Sequence, residues 1–360
     1  MEVELDRALL TGQPTEGLVI LALCALGMIG RHRIIPDDRA PWDAWARTLP
    51  ADLEEEVRYA WDEGERRAAE GGVAERIIVR PTGPVRFAQA PLLLTPIEAL
   101  TLLGRPLRIL LENGRNDRAF ILAFADSATH KALSEAEEAG WIVFETAGGI
   151  NELALRLESA ADAAAREVFR TMYLCDSDAR EPGALTEIAA AIQQSLTALA
   201  IRLRRPAGHF GCVLTRRAAE NYAPPGDVLT WASEGFGREA WKLIQQASSP
   251  TERAMLTIGT GLANSARRQL LGAIALRELH PDVRGFLDMK EGRFHKNKRP
   301  KPDIERTADS IWNALDDFQR AALLDGFGAG FSASFYASRT GLGDETGEIP
   351  ALLAKIMERV

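Results

Sequence analysis

The sequence predicts an α/β protein: a parallel four-stranded sheet with helices on both faces, flanked by helical regions on its N- and C-terminal sides. Three observations carry this expectation. Between Leu107 and Leu214, short apolar runs (LRILLE, WIVFE, TMYLCD, HFGCVL) alternate with amphipathic stretches of helical period. The runs are nearly continuously apolar, as strands buried on both faces are. Acids fall where the runs stop, Glu112 after the first and Asp176 and Asp178 after the third, and open parallel sheets present their functional groups at the carboxyl ends of their strands.

Taken in order, residues 1–105 predict a mainly helical N-terminal module. Gly17 to Gly30 (GLVILALCALGMIG) is an apolar helix of 14 residues, short of the ~20 that span a bilayer. Glu2, Glu4 and Asp6 precede it where a secretory signal would carry basic residues. A second helix covers Asp52 to Glu70, and nine acids between Asp52 and Glu75 against Arg58, Arg66 and Arg67 predict a solvated face. Arg76 to Arg80 (RIIVR) reads as a short strand, and Thr95-Pro96-Ile97-Glu98 as a capping box opening a helix that closes before Gly104. Residues 106–225 form the predicted α/β domain, with helices running to about Ala139, from about Asn151 to Arg166 and from about Ala184 to Leu203. Residues 226–360 predict a helical C-terminal region, with a capping box at Ser249-Pro250-Thr251-Glu252 and a long helix from about Asp303 to Leu324. No internal repeat is evident.

The 360 residues, 46% hydrophobic and 26% charged, exceed one ordinary domain and exclude a disordered or fibrous chain. A net charge of −8 requires that any contact with phosphate come from a local basic patch. Such a patch exists. Arg284 to Lys301 (RGFLDMKEGRFHKNKRPK) holds seven basic residues and two acids in a loop-forming composition. Lys290, Arg293, Lys296, Lys298 and Arg299 are its candidate nucleic-acid contacts, and Phe294 and His295 are available to stack on a base. Five arginines (Arg202, Arg204, Arg205, Arg216, Arg217) between Ala200 and Arg217 form a second basic run. Cys24, Cys175 and Cys212 are too few and scattered for a disulfide framework and point to a reducing, cytoplasmic setting. His209 with Cys175 and Cys212 lacks the four-ligand spacing of zinc. No Walker-type phosphate loop occurs.

Carboxylates gathered at one sheet edge repel one another unless a cation lies between them, and oxygen ligands without His or Cys select Mg²⁺ or Mn²⁺. Phosphoryl-transfer chemistry uses such ions. An Asp-x-Asp after an apolar strand also occurs in phosphatases and glycosyltransferases, and helix capping explains one of these acids without any chemistry.

LRILLENGRNDRAF, GWIVFETAGGINEL and YLCDSDAREPG together resemble the Toprim domain, the metal-dependent module of topoisomerases, primases and a group of nucleases. VLTRRAAENYAPP is similar to the nuclease branch that includes the overcoming-lysogenisation-defect (OLD) proteins and stand-alone Toprim effectors of anti-phage defence, and LDMKEG to a further segment of some effectors. The resemblance covers about Leu107 to Pro225 and that short piece. It implies a Rossmann-like sheet and a Mg²⁺- or Mn²⁺-dependent endonuclease acting on DNA or RNA, transfer RNA included. Glu112 becomes a metal ligand and general base, Asp176 and Asp178 the main ligands, and Glu220 the ligand of a second ion. Arg216 or Arg217 falls near the scissile phosphate as an electrostatic stabiliser, since arginine stays charged. The family form has Gly directly after the first Glu, whereas Asn113 intervenes here before Gly114 and leaves the role of Asp117 open. With no ATPase motif in the chain, the resemblance implies a separate P-loop or ABC-type ATPase as controlling partner. The helical flanks make a homodimer, away from membranes, the default assembly. The alternatives are an Asp-x-Asp phosphatase or glycosyltransferase, or a non-catalytic binding module.

Overall fold

A computed structural model of the chain describes residues 1–11, 14–71, 75–83, 85–163, 165–177, 185–216, 219–224, 227, 335–337, 339–344 and 346–360. Among the described residues the strands form two parallel four-stranded sheets. The first joins β1 (Glu2–Leu5), β2 (Arg33–Pro36), β3 (Arg76–Val79) and β4 (Leu92–Leu94) in the order β2-β1-β3-β4. Its helices are α1 (Pro14–Met28), α2 (Arg39–Ala46), α3 (Ala51–Ala69) and α4 (Pro96–Leu103).

The expectation of a helical N-terminal module is corrected here, because its helices are organised on a sheet. The physical reason lies in strand length and exposure. β1 buries Val3 and Leu5 and turns Glu2 and Glu4 outward, where both pair with Arg76. Four residues that alternate acid and apolar give a weak signal beside the apolar helix that follows. Other local readings hold. The Thr95 side chain accepts the Glu98 amide at 3.4 Å, as a capping box requires. The acids of α3 form a solvated, paired face, with Arg39 bound to Asp62 at 2.6 Å and Glu65 at 3.1 Å and Arg58 to Glu54 at 2.9 Å.

The second sheet joins β5 (Leu107–Leu111), β6 (Ile142–Thr146), β7 (Thr171–Cys175) and β8 (Gly211–Val213) in the order β6-β5-β7-β8. The two units therefore share one topology: the chain's first strand pairs with its second and third, all parallel, and the third with the fourth. All four strands expected from Leu107 onward are present. The first expected helix divides into α5 (Gly114–Phe124) and α6 (Ser127–Glu138), because the Asp126 side chain accepts the Thr129 amide at 2.7 Å and caps a new start. The second divides into α7 (Ile150–Asp162) and α8 (Ala165–Phe169), and the third is α9 (Glu187–Arg202).

Burial follows the pleat. Leu107, Ile109 and Leu111 enter one core with α5 and α6, while Leu110 enters the other with α7, α9 and the first unit. The C-terminal helix α10 (Glu348–Arg359) closes the α5 side through Ile349, Leu352, Leu353 and Ile356. This corrects the boundary at 225, since α10, Phe335 and Tyr336 belong to the core of the second unit. The expected helices near Ser249 and from Asp303 to Leu324 lie outside the described residues. No helix among the described residues is long and apolar enough to cross a membrane.

Buried arginines reach backbone carbonyls within the units, and Arg205 does so between them. Arg31 donates to the carbonyls of Gly104 (3.2 Å) and Arg105, and Arg205 to that of Gln89 (2.8 Å) while pairing with Glu75 at 2.9 Å. Arg359 donates to the carbonyls of His209 (2.9 Å) and Phe169. These cations satisfy acceptors at chain ends that apolar packing would leave bare.

Candidate active site

Parallel strands bring the residues that follow them to one edge. Glu112 is the first residue beyond β5 and Asp176 the first beyond β7, and the two strands are hydrogen-bonded neighbours. The Asp176 amide donates to the Glu112 carboxylate at 3.4 Å. Beyond β6, Gly148 (φ 95°) and Gly149 (φ 116°) turn the chain through a region that disfavours side chains, and the Gly149 amide donates to the Glu112 carbonyl at 3.2 Å.

Asn113 displaces the expected glycine by one position, and the packing explains why Gly114 is the one that matters. A Cβ at Gly114 would lie 2.9 Å from Thr146 Cβ, so α5 starts against the end of β6 only without a side chain there. Asp117, whose role the sequence left open, is buried at 7% exposure, and its Oδ2 accepts the Asn113 amide at 2.7 Å. It fixes the turn directly after Glu112.

The segment after β8 is drawn to this edge from several sides. Asp176 Oδ1 accepts the Ala219 amide at 3.0 Å, at the start of a 3-10 turn (Ala219–Tyr222) on which Glu220 lies. Ser177 Oγ donates to the Arg216 carbonyl at 2.8 Å, and the Tyr336 hydroxyl to the Ala219 carbonyl at 2.7 Å. The Arg216 guanidinium stands over the Tyr222 ring, 4.9 Å from its centroid. Ser177, Tyr336 and Glu348 were missed in the sequence. Ser177 sits inside the Asp-x-Asp and was visible there, whereas Tyr336 and Glu348 follow more than a hundred residues later with no local signal.

Electrostatics agree with this gathering of acids. Burial pushes the Cys175 thiol up, and the charges of Glu112, Asp176 and Asp117 push it further. Burial also raises Cys24 and Cys212 to about 12. All three thiols stay protonated at neutral pH, which removes them as nucleophiles. His209 precedes β8 while Cys175 ends β7, so they stand at opposite edges of the sheet.

Several expected residues fall elsewhere. Arg202, Arg204 and Arg205 follow α9 back to the amino edge, away from Glu112 and Asp176, and Arg205 is buried against Glu75. These three members of the second basic run therefore lie apart from Arg216, and Arg205 serves as a salt-bridge partner. Asp178, Arg217, Lys290, Arg293, Lys296, Lys298 and Arg299 lie outside the described residues, as does the Glu220 side chain.

Among the described residues, no group of three or more His, Cys, Asp and Glu is arranged to hold a metal ion. The donor chemistry of the edge nevertheless fits a hard divalent cation, since Glu112 and Asp176 offer carboxylate oxygens from adjacent strand ends. Comparisons with protein-family models, with curated proteins and with solved structures found no match to this chain.

Proposed function

We propose that the chain is a Mg²⁺- or Mn²⁺-dependent nuclease of the Toprim type that hydrolyses phosphodiester bonds at the carboxyl edge of its second sheet. The observation that carries this reading is the pair of acids directly beyond the two adjacent central strands, with the Asp176 amide on the Glu112 carboxylate at 3.4 Å. The first unit offers a contrast. The same two positions there hold Asp6 and Arg80, which neutralise each other at 3.1 Å. The two copies of the topology thus hold different residue pairs at these positions, Asp6 with Arg80 and Glu112 with Asp176.

Glu112 and Asp176 would hold the ion, with Asp178 and Glu220 added by the family resemblance. The ion, when bound, supplies Lewis acidity toward a phosphate oxygen and eases deprotonation of water. The residues of the chain supply the rest. Glu112 would take a proton from the attacking water, and its backbone is held by the Gly149 amide on its carbonyl. Arg216 offers a permanent positive charge where negative charge grows on the phosphate, held by Ser177 and by the Tyr222 ring. The basic segment Arg284–Lys301 would guide the nucleic-acid backbone. Control by a separate ATPase in an anti-phage system rests on the resemblance alone.

A non-catalytic reading has one observation in its favour: Asp176 caps the turn at Ala219. The test of function is a cleavage panel in Mn²⁺ or Mg²⁺ using supercoiled and linear duplex DNA, single-stranded DNA and total transfer RNA. Cleavage by the parent that is lost in Asp176→Ala and in Glu112→Gln is the expected result. Activity that survives Glu112→Gln would favour the phosphatase or glycosyltransferase class.

A further inference from the structure

The loop from Thr215 to Tyr222 carries Arg216 and Glu220, and both of its ends converge on one carboxylate delivered by α10. Glu348 Oε1 and Oε2 accept the Thr215 amide at 3.1 and 3.3 Å, and Oε2 accepts the Thr215 hydroxyl at 2.7 Å. The Tyr222 hydroxyl also donates to Oε2 of Glu348, and its oxygen accepts the Arg216 amide at 3.2 Å. Tyr222 is buried among Phe120, Phe124 and Arg216, so its ring cannot drift while the hydroxyl is held.

From this arrangement we infer that Glu348 is a positioning residue, tying together Thr215 and Tyr222 and so fixing the Arg216 backbone and the ring on which its guanidinium rests. The catalytic part of this inference rests on the proposed nuclease reading; the closure of the loop does not. Two properties single out Glu348. It is the first residue of α10, a helix anchored at its other end by Arg359 on the carbonyls of His209 and Phe169. A carboxylate can accept all of these donors together, whereas a neutral amide offers one good acceptor atom.

The test uses the full chain with Glu348→Gln, Tyr222→Phe, Arg216→Ala and the double variant Glu348→Gln/Arg216→Ala. Limited trypsinolysis, read by mass spectrometry as scission after Arg216, reports loop closure without any nucleic acid. Glu348→Gln and Tyr222→Phe are both expected to accelerate that cut several-fold while the melting temperature holds; an unchanged rate in both overturns the inference. With a cleaved substrate in hand, Glu348→Gln should lower kcat about tenfold with KM little changed and cause no further loss in the Arg216→Ala background. Equal losses in both backgrounds would overturn the positioning role. A parent that neither cleaves nor gains stability from Mn²⁺ defeats the nuclease reading, and the trypsin result then decides loop closure by itself.

Discussion

One substitution separates the proposed metal-binding role of Asp176 from its cap on the Ala219 turn. Its Oδ1 accepts the Ala219 amide at 3.0 Å, a bond that an asparagine oxygen can also make, while asparagine lacks the charge a divalent cation needs. Asn and Asp are near equals as caps, and loss of a cap to Ala costs about 1 kcal/mol. Without metal, Asp176→Asn should therefore change stability by less than about 1 kcal/mol and Asp176→Ala by about that amount. With Mn²⁺ at roughly 100 times its Kd, a bound ion stabilises the parent by about 2.7 kcal/mol. Spread over a chain of 360 residues at about 2.1 cal/mol/K each, that gain raises the melting temperature by about 3–4 °C. Melting of the parent, Asp176→Asn and Asp176→Ala in chelator and in Mn²⁺ is the assay. Both variants should lose the Mn²⁺ shift, and Asp176→Asn should keep the chelator baseline. Asp6→Asn, at the position of the first sheet that matches Glu112, should retain the full shift because its partner there is Arg80. A parent-sized Mn²⁺ shift in Asp176→Asn would refute the metal assignment and leave the cap as the whole role of Asp176.

Further outcomes are expected elsewhere in the fold. Burial, reinforced by Arg359, Arg205 and Lys355, lowers His209 to about 2, and burial also takes His32 well below its ordinary range. Both rings stay neutral in the fold while the unfolded chain takes up protons near pH 6.5. Stability is therefore full above that pH and falls below it by about 1.4 kcal/mol per pH unit for each ring. Urea midpoints at pH 7.5 and 5.5 should show this, and His209→Gln should remove its own share, about 1.4 kcal/mol per pH unit below pH 6.5; an unchanged slope would exclude His209 as a source. Gly64 lies inside α3, where alanine ordinarily favours helix by about 1 kcal/mol, but a Cβ there would stand 2.4 Å from the Ile34 carbonyl oxygen. Gly64→Ala should therefore destabilise by about 2 kcal/mol or more in urea titration, and a gain would show that α3 does not press on β2. Thr95→Ala should cost about 1 kcal/mol while Thr95→Ser costs far less, since only the hydroxyl caps α4; equal losses in the two variants would disprove the cap.

The second sheet was legible because its strands are nearly continuous apolar runs, the central β7 being buried on both faces. TMYLC is buried at every position, and such a run announces itself without tertiary knowledge. The acids that follow were legible for the same reason, because the end of an apolar run marks the end of a strand. The first sheet was not. Its strands are of four residues or fewer, and in β1 each buried side chain alternates with an outward acid. Capping signals at Thr95 and Asp126 are local hydrogen bonds; the first was read correctly, and the second was overridden by an apolar period that runs through it.

What the sequence by itself determined is whatever short-range periodicity and residue chemistry encode: the four strands from Leu107 onward, the apolar and acidic helices of the first unit, and Glu112 and Asp176 at strand ends. Only the tertiary structure decided that residues 1–105 repeat the strand order of the second unit, that Arg205 turns away to Glu75, and that Glu348 meets Thr215 and Tyr222. Strand order and contacts between residues more than a hundred positions apart leave no period in a chain. They follow from which apolar faces find one another, and the polar groups carried on those faces meet as a consequence.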